Sequence, residues 1–195
     1  MSIPTDVSCF LLLPTTRYLV SLRRWGGEGA APCGHLPWGC DTSVDIGVET
    51  HESHPVSGPP ESRYPNLTSD PRWPERCSVC GTLFRAEDPR QVRFDVLYRR
   101  ADTGEEMVLS KAPPGAMWDC PWLHHKVGPD GQSLTVRLPD GRDWWVDGPS
   151  KNGSGWTRTG TAPAISVNPS IQTEGNPNRP GYHGFLTNGV LRSCQ

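Results

Sequence analysis

The sequence predicts a mainly β protein of antiparallel hairpins and a meander, as a sandwich or an open, barrel-like sheet, carrying a long loop clamped by zinc. Three observations support this. Glycine and proline number 21 each in 195 residues, too many turn formers for a helical bundle. Several segments alternate apolar and polar residues with a period of two. No window of a dozen residues combines a 3.6-residue period with freedom from Gly and Pro.

The first strand signal lies in residues 8 to 25, where an apolar stretch passes into Tyr18, Val20 and Leu22 alternating with Leu19, Ser21 and Arg23. From Gly26 to about Glu75 the composition shifts to Gly, Pro, Ser and His, with few apolar residues and no sustained periodicity, which predicts a long loop region. Val92, Phe94, Val96 and Tyr98 then alternate with Arg93, Asp95, Leu97 and Arg99 before the turn Asp102-Thr103-Gly104, and a short strand is expected at Met107 to Leu109. The spacing next predicts a three-stranded meander from Leu123, His125 and Val127, from Leu134, Val136 and Leu138, and from Trp144 and Val146, separated by Gly128-Pro129-Asp130-Gly131 and Pro139-Asp140-Gly141. After Ile165-Ser166-Val167, a closing hairpin is expected from Tyr182 to Leu191 around Asn188-Gly189. The expected organisation is therefore N-terminal strands over 1–25, a loop-rich zinc-ribbon-like region over 26–90 and an antiparallel β domain over 91–195.

A formal net charge of -2 lacks the one-sided basic balance of a dedicated nucleic-acid binder. Met1 to Pro14 contains no positive leader, and Cys9-Phe10-Leu11-Leu12-Leu13 is too short for a signal-peptide core or a membrane span. The expectation is a protein that stays in the cytoplasm where it is made. In that reducing compartment seven cysteines read as metal ligands or thiols and not as disulfides, and the sequons Asn66-Leu67-Thr68 and Asn152-Gly153-Ser154 read as chance.

Cys77-Ser78-Val79-Cys80-Gly81 is the strongest local motif. Two thiols three positions apart can hold one tetrahedral zinc from a tight turn. The other half of the site is expected from Cys33-Gly34-His35-Leu36-Pro37-Trp38-Gly39-Cys40. Cys33, Cys40, Cys77 and Cys80 are the favoured ligands, with His35 able to replace Cys33 or Cys40. Four protein ligands leave no position for water, so the zinc would be structural and would pin the 26–76 loop onto the strands.

Other constellations offer weaker chemistry. His51 and His54 could form an open histidine site, although histidines in polar loops are mostly solvated. Cys120 or Cys194 could serve as nucleophile with His183, His124 or His125 as base and Asp119 as orienter. Trp118 and Trp122 around Cys120 argue instead for a buried, inert thiol. On a strand, Trp144 and Trp145 must face opposite ways, so one ring covers a second layer or a partner surface.

Tyr98-Arg99-Arg100-Ala101-Asp102-Thr103-Gly104-Glu105-Glu106-Met107, Pro113-Pro114-Gly115-Ala116-Met117-Trp118-Asp119, Pro139-Asp140-Gly141-Arg142-Asp143-Trp144 and Tyr182-His183-Gly184-Phe185-Leu186-Thr187-Asn188-Gly189 together resemble an uncharacterised family from tailed bacteriophages, notably those of actinobacteria. The resemblance runs from about Asp70 to Val190. It implies a phage accessory or particle protein, in the host cytoplasm or the virion, and brings no established reaction. Relatives tend to have a longer, cysteine-bearing stretch where this chain has Ser150-Lys151-Asn152-Gly153-Ser154-Gly155.

Three functions follow as expectations. The leading one is a zinc-stabilised, non-enzymatic module that binds a protein of the virion or the host, with no membrane role. The second is a small metal- or cysteine-dependent hydrolase. The third is a nucleic-acid-binding, zinc-ribbon-like protein using Arg72, Arg76, Arg85, Arg90 and Arg93, whose binding would depend strongly on salt.

Overall fold

The computed structural model describes residues 6–26, 39–123, 127–149, 155–177 and 180–194. Its strands are, in chain order, β1 (Asp6–Ser8), β2 (Phe10–Gly26), β3 (Cys40–Thr50), β4 (Arg90–Arg100), β5 (Glu106–Val108), β6 (Ala116–Asp119) and β7 (Leu134–Arg137). They continue with β8 (Asp143–Trp145), β9 (Thr157–Thr159), β10 (Ser166–Asn168), β11 (Ile171–Gln172), β12 (His183–Thr187) and β13 (Val190–Ser193). The one α-helical turn among the described residues is α1 (Pro60–Arg63). The fold is mainly β, in open and predominantly antiparallel sheets, with no closed barrel among the described residues.

Two compact units form, one from Thr15–Leu97 and one from Met1–Pro14 with Tyr98–Gln195. In the first, β2 pairs antiparallel with β3 from Arg17↔Thr50 to Gly26↔Cys40, with a register shift between Val20 and Ser21. Beside it, the Trp25 N–H donates to the Pro89 carbonyl at 3.3 Å and the Thr15 hydroxyl to the Leu97 carbonyl at 2.7 Å. The alternation read from the sequence sets the core: Tyr18, Val20 and Leu22 of β2 and Val92 and Phe94 of β4 are buried together with Trp73. Trp73 is fixed by its indole N–H, 2.6 Å from the Leu67 carbonyl.

The 26–75 region departs from the expected loop, because β3 occupies Cys40–Thr50. Only Cys40 and Thr42 of this strand are buried. The strand does carry a short period-two signal, Val44, Ile46 and Val48 alternating with Asp45, Gly47 and Glu49, which the surrounding Gly, Pro and Ser residues masked. From Ser53 to Pro89 the chain does run through turns, broken by α1 and a 3-10 turn at Pro65–Leu67.

In the second unit β6, β7 and β8 form an antiparallel meander, with Met117↔Val136 and Val136↔Trp144 as facing pairs. Its first strand is Ala116–Asp119, and this corrects the expectation of a strand at 123–127: Leu123 and Val127 lie outside strands, while His125 is outside the described residues. Ala116, Met117 and Trp118 are all buried, and a strand covered on both faces shows an apolar run instead of alternation. Pro121, which has no N–H to donate, follows shortly after. One pairing is parallel, Phe10↔Ala116 and Leu11↔Met117 between β2 and β6. The short strand after the 102–104 turn is β5, one residue earlier than expected, because Leu109 already opens a 3-10 turn.

The other sheet of this unit runs β1-β13-β12-β11, and β9 pairs with β10 as a separate ribbon. The closing hairpin is present, Thr187↔Val190 flanking a turn in which Asn188 has φ 47° and Gly189 φ 73°. Two successive positive φ values give the primed turn whose twist matches a two-residue hairpin. Both sheets feed one core, with Met117, Leu134, Val136 and Trp144 from the meander and Ile171, Leu186 and Leu191 from the other.

Candidate metal centre

Hydrogen bonds shape the Cys77–Gly81 segment into a tight knuckle. The Gly81 N–H donates to the Cys77 carbonyl at 3.0 Å and the Cys77 N–H to the Thr82 carbonyl at 2.9 Å. Gly81 sits at φ +72°, a left-handed conformation that costs a side-chain-bearing residue about 1–2 kcal/mol. On either side, Arg76 and Leu83 form a β-bridge and the Phe84 N–H donates to the Glu75 carbonyl at 2.9 Å. Both Cys77 and Cys80 are thereby turned toward a common point.

The third thiol comes from the start of β3, where Cys40 faces Gly26 of β2. The sulfurs of Cys40, Cys77 and Cys80 lie within 4.8 Å of one another, and the Cys40–Cys80 separation is 3.4 Å. Ligands 2.3 Å from a tetrahedral zinc sit about 3.8 Å apart, so the three sulfurs need only small adjustments to share one ion. Cys40 and Cys77 are buried against Phe84, whereas Cys80 is exposed. Of the five ligands expected from the sequence, these three converge. Cys33 and His35 lie outside the described residues.

Hydroxyl groups surround the sulfurs. The Ser78 N–H donates to Thr42 Oγ1 at 3.0 Å, and the Cys80 thiol donates to Thr82 Oγ1 at 3.2 Å. Beneath the knuckle lies Arg24, only 5% exposed. Its guanidinium donates to the Pro74 carbonyl at 3.2 Å and to the Arg85 carbonyl, and lies 5.4 Å from the Phe84 ring centroid. Burial, then repulsion from Arg90, lowers its pKa against the opposing pull of Asp88. The loop carrying the cysteine pair is thus tied at both ends to β2. Sequence reading passed over Arg24, although a strand that places Arg23 and Arg24 side by side must turn one of them inward.

The histidine pair is engaged with aromatic rings. His51 Nε2 lies 3.0 Å from Glu49 Oε2, and its ring meets Tyr18 and Phe94 edge-on at 5.7 and 5.6 Å. His54 Nδ1 lies 2.8 Å from the Pro55 carbonyl, with its ring 5.4 Å from Tyr18. Among the described residues, the cysteine trio is the grouping that could hold a metal ion.

The geometry also weighs against a cysteine nucleophile. Cys120 is buried, its sulfur accepts a hydrogen bond from the Thr135 hydroxyl at 3.2 Å, and burial raises its pKa over the opposing effect of that bond. Asp119 is occupied with the Ser133 N–H at 2.8 Å. Burial likewise pushes the Cys9 thiol up to about 12. These shifts remove thiolate and with it reactivity. Cys194 is exposed, its N–H donating to the His183 carbonyl at 2.8 Å, while His124 and His125 lie outside the described residues.

Several of the arginines proposed for nucleic acid already have protein partners. Arg72 pairs with Asp70 at 2.7 Å, Arg85 with Asp88 at 3.2 Å and Arg93 with Asp95 at 2.9 Å. Arg76 donates to the Gly81 carbonyl at 3.2 Å, and Arg90 lies over Trp73. Trp144 and Trp145 divide as alternation requires, at 8% and 43% exposure, with the Trp144 ring edge-on to Trp156 at 5.1 Å.

No protein-family model, curated protein or solved structure matches this chain. The resemblance to a phage family therefore rests on the sequence segments quoted above. Among the described residues no helix is long and apolar enough to cross a membrane.

Proposed function

We propose that Cys40, Cys77 and Cys80 bind a zinc ion, with Cys33 or His35 completing the tetrahedron, and that the ion is structural in a non-enzymatic module acting by protein binding. The convergence of three sulfurs from two separate stretches of chain supports this reading. Thiolate donors select zinc over magnesium or calcium, which prefer oxygen. A fourth protein ligand would close the coordination shell and leave the ion to fasten the knuckle to β3. Exposed Trp122, Trp145 and Phe185 provide side chains of a kind enriched in protein contacts. The phage resemblance directs the search for the partner to the virion or to a host component.

Elemental mass spectrometry of the native protein tests the site. One tightly held zinc, lost when Cys77 and Cys80 are both changed to Ser, is the expected result; metal-free native protein would overturn it. Co-fractionation with purified phage particles would favour the virion, and its absence from particles a host component.

A further inference from the structure

The geometry points to Cys80 as a hydroperoxide-reactive thiol with Cys40 as its resolving partner, so that the cluster is a site of reversible oxidative modification. The three sulfurs are unequal in access: Cys40 and Cys77 are buried and Cys80 is exposed. A dissolved oxidant therefore meets Cys80 first. The Cys40 sulfur, on a separate stretch of chain, lies 3.4 Å from it. Disulfide formation needs that gap to close by roughly 1.4 Å to the covalent length, which thiols on two separate chain segments can achieve by rotating about their side-chain bonds.

The chemistry balances with a hydroperoxide as the oxidant. The Cys80 thiolate attacks the outer oxygen, the O–O bond breaks and its electron pair leaves with the alcohol or water, giving a sulfenic acid on Cys80. The Cys40 sulfur then attacks the Cys80 sulfur, the S–OH bond breaks and water leaves with the Cys40 proton. The two cysteines lose two electrons and the peroxide gains them. A disulfide-linked Cys40–Cys80 pair can no longer offer two thiolates to one ion, so oxidation would discharge the metal. The inference rests on the zinc reading for that consequence alone; the sulfur chemistry stands without it.

The full chain is treated with graded hydrogen peroxide, once as purified and once after metal removal by a chelator. Unreacted thiols are then alkylated, the cross-linked peptides identified by mass spectrometry, and released zinc read with a chromogenic chelator. The expected product is a Cys40–Cys80 link reversed by dithiothreitol, with Cys77 alkylated and zinc released in step with the link. In Cys80→Ser protein, whose changed side chain is exposed, Cys40 should remain alkylatable at every peroxide dose. A Cys77–Cys80 link, or sulfinic acid accumulating on Cys80 without any link, would overturn the pairing. If the protein carries no metal yet forms the Cys40–Cys80 link, the zinc reading fails and this one stands; bound zinc without the link gives the reverse.

Discussion

The two units anchor their loops around buried arginines in different ways. In the 15–97 unit Arg24 hydrogen-bonds to no carboxylate among the described residues and donates to the carbonyls of Pro74 and Arg85. In the other unit Arg158, 6% exposed, donates to Asp147 at 2.8 Å and to Asp130 at 2.8 Å, and also to the Gln132 carbonyl. Burial alone would lower the Arg158 pKa, but its bonds to Asp130 and Asp147 reverse the direction. The cores differ as well. Among the described residues twelve buried side chains form the main cluster of the second unit, whereas six form that of the first, beside the separate cysteine cluster. Where apolar burial is smaller, more depends on cross-links between loops.

Metal removal should separate the two units most strongly. Thiolate zinc sites supply roughly 10–16 kcal/mol in small peptides, and several kcal/mol of that should appear here as lost stability. In hydrogen exchange, amides of β3 and residues 74–85 should lose protection on chelation while those of the β6–β8 meander keep theirs. Equal loss in both units would erase the distinction.

Next in size is Arg158→Met. Removing one partner of a buried, hydrogen-bonded ion pair costs about 3–5 kcal/mol, read as a lower urea midpoint with β7 and β9 amides exchanging faster. An unchanged midpoint would mean that the network contributes specificity and not stability.

Gly189→Ala probes the closing hairpin. It places a side chain at φ +73°, with its Cβ 2.7 Å from the Pro163 carbonyl oxygen. A loss of about 1–2 kcal/mol from the backbone conformation, and somewhat more from the close contact, should appear in thermal unfolding. A stabilised variant would show that the turn can relax.

The smallest effect is on acid sensitivity. The Arg158 guanidinium holds the Asp130 pKa below the ordinary carboxylate value. Its contribution is thus complete above the unfolded carboxylate pKa of about 4 and is lost as pH falls through the depressed folded value. Arg158→Met should flatten this part of the stability profile in the acid range, whereas Arg24→Met should not.

Much of this contrast was legible in the residue pattern. Tyr18, Val20 and Leu22 announced β2, Asn188-Gly189 announced the last hairpin, and the Cys77–Cys80 spacing announced the knuckle. β3 was overlooked although Val44, Ile46 and Val48 alternate with Asp45, Gly47 and Glu49, because that alternation is short and set among Gly, Pro and Ser. Ala116–Asp119 hid for a different reason: with both faces covered it has no polar phase. At the site, Cys40 was expected from its cluster with Cys33 and His35, but not that it begins a strand. Arg158 was invisible as a buried charge, since its partners are distant in sequence, whereas the adjacent Arg23 and Arg24 on a strand left a signal that one of them turns inward. Composition changes after Gly26, yet the units divide at Pro14/Thr15 and Leu97/Tyr98, within β2 and β4, where no change of residue type marks the division.

The pairing of β1 with β13, Asp6 opposite Arg192, sets an order on assembly during synthesis. A ribosome adding roughly 5–20 residues per second delivers every residue of the 15–97 unit well before β13 exists. β1 must wait for its partner, and the Phe10 and Leu11 end of β2 waits for β6. The inserted unit can therefore fold on the nascent chain, while the unit that surrounds it in sequence closes only after β13 has been made.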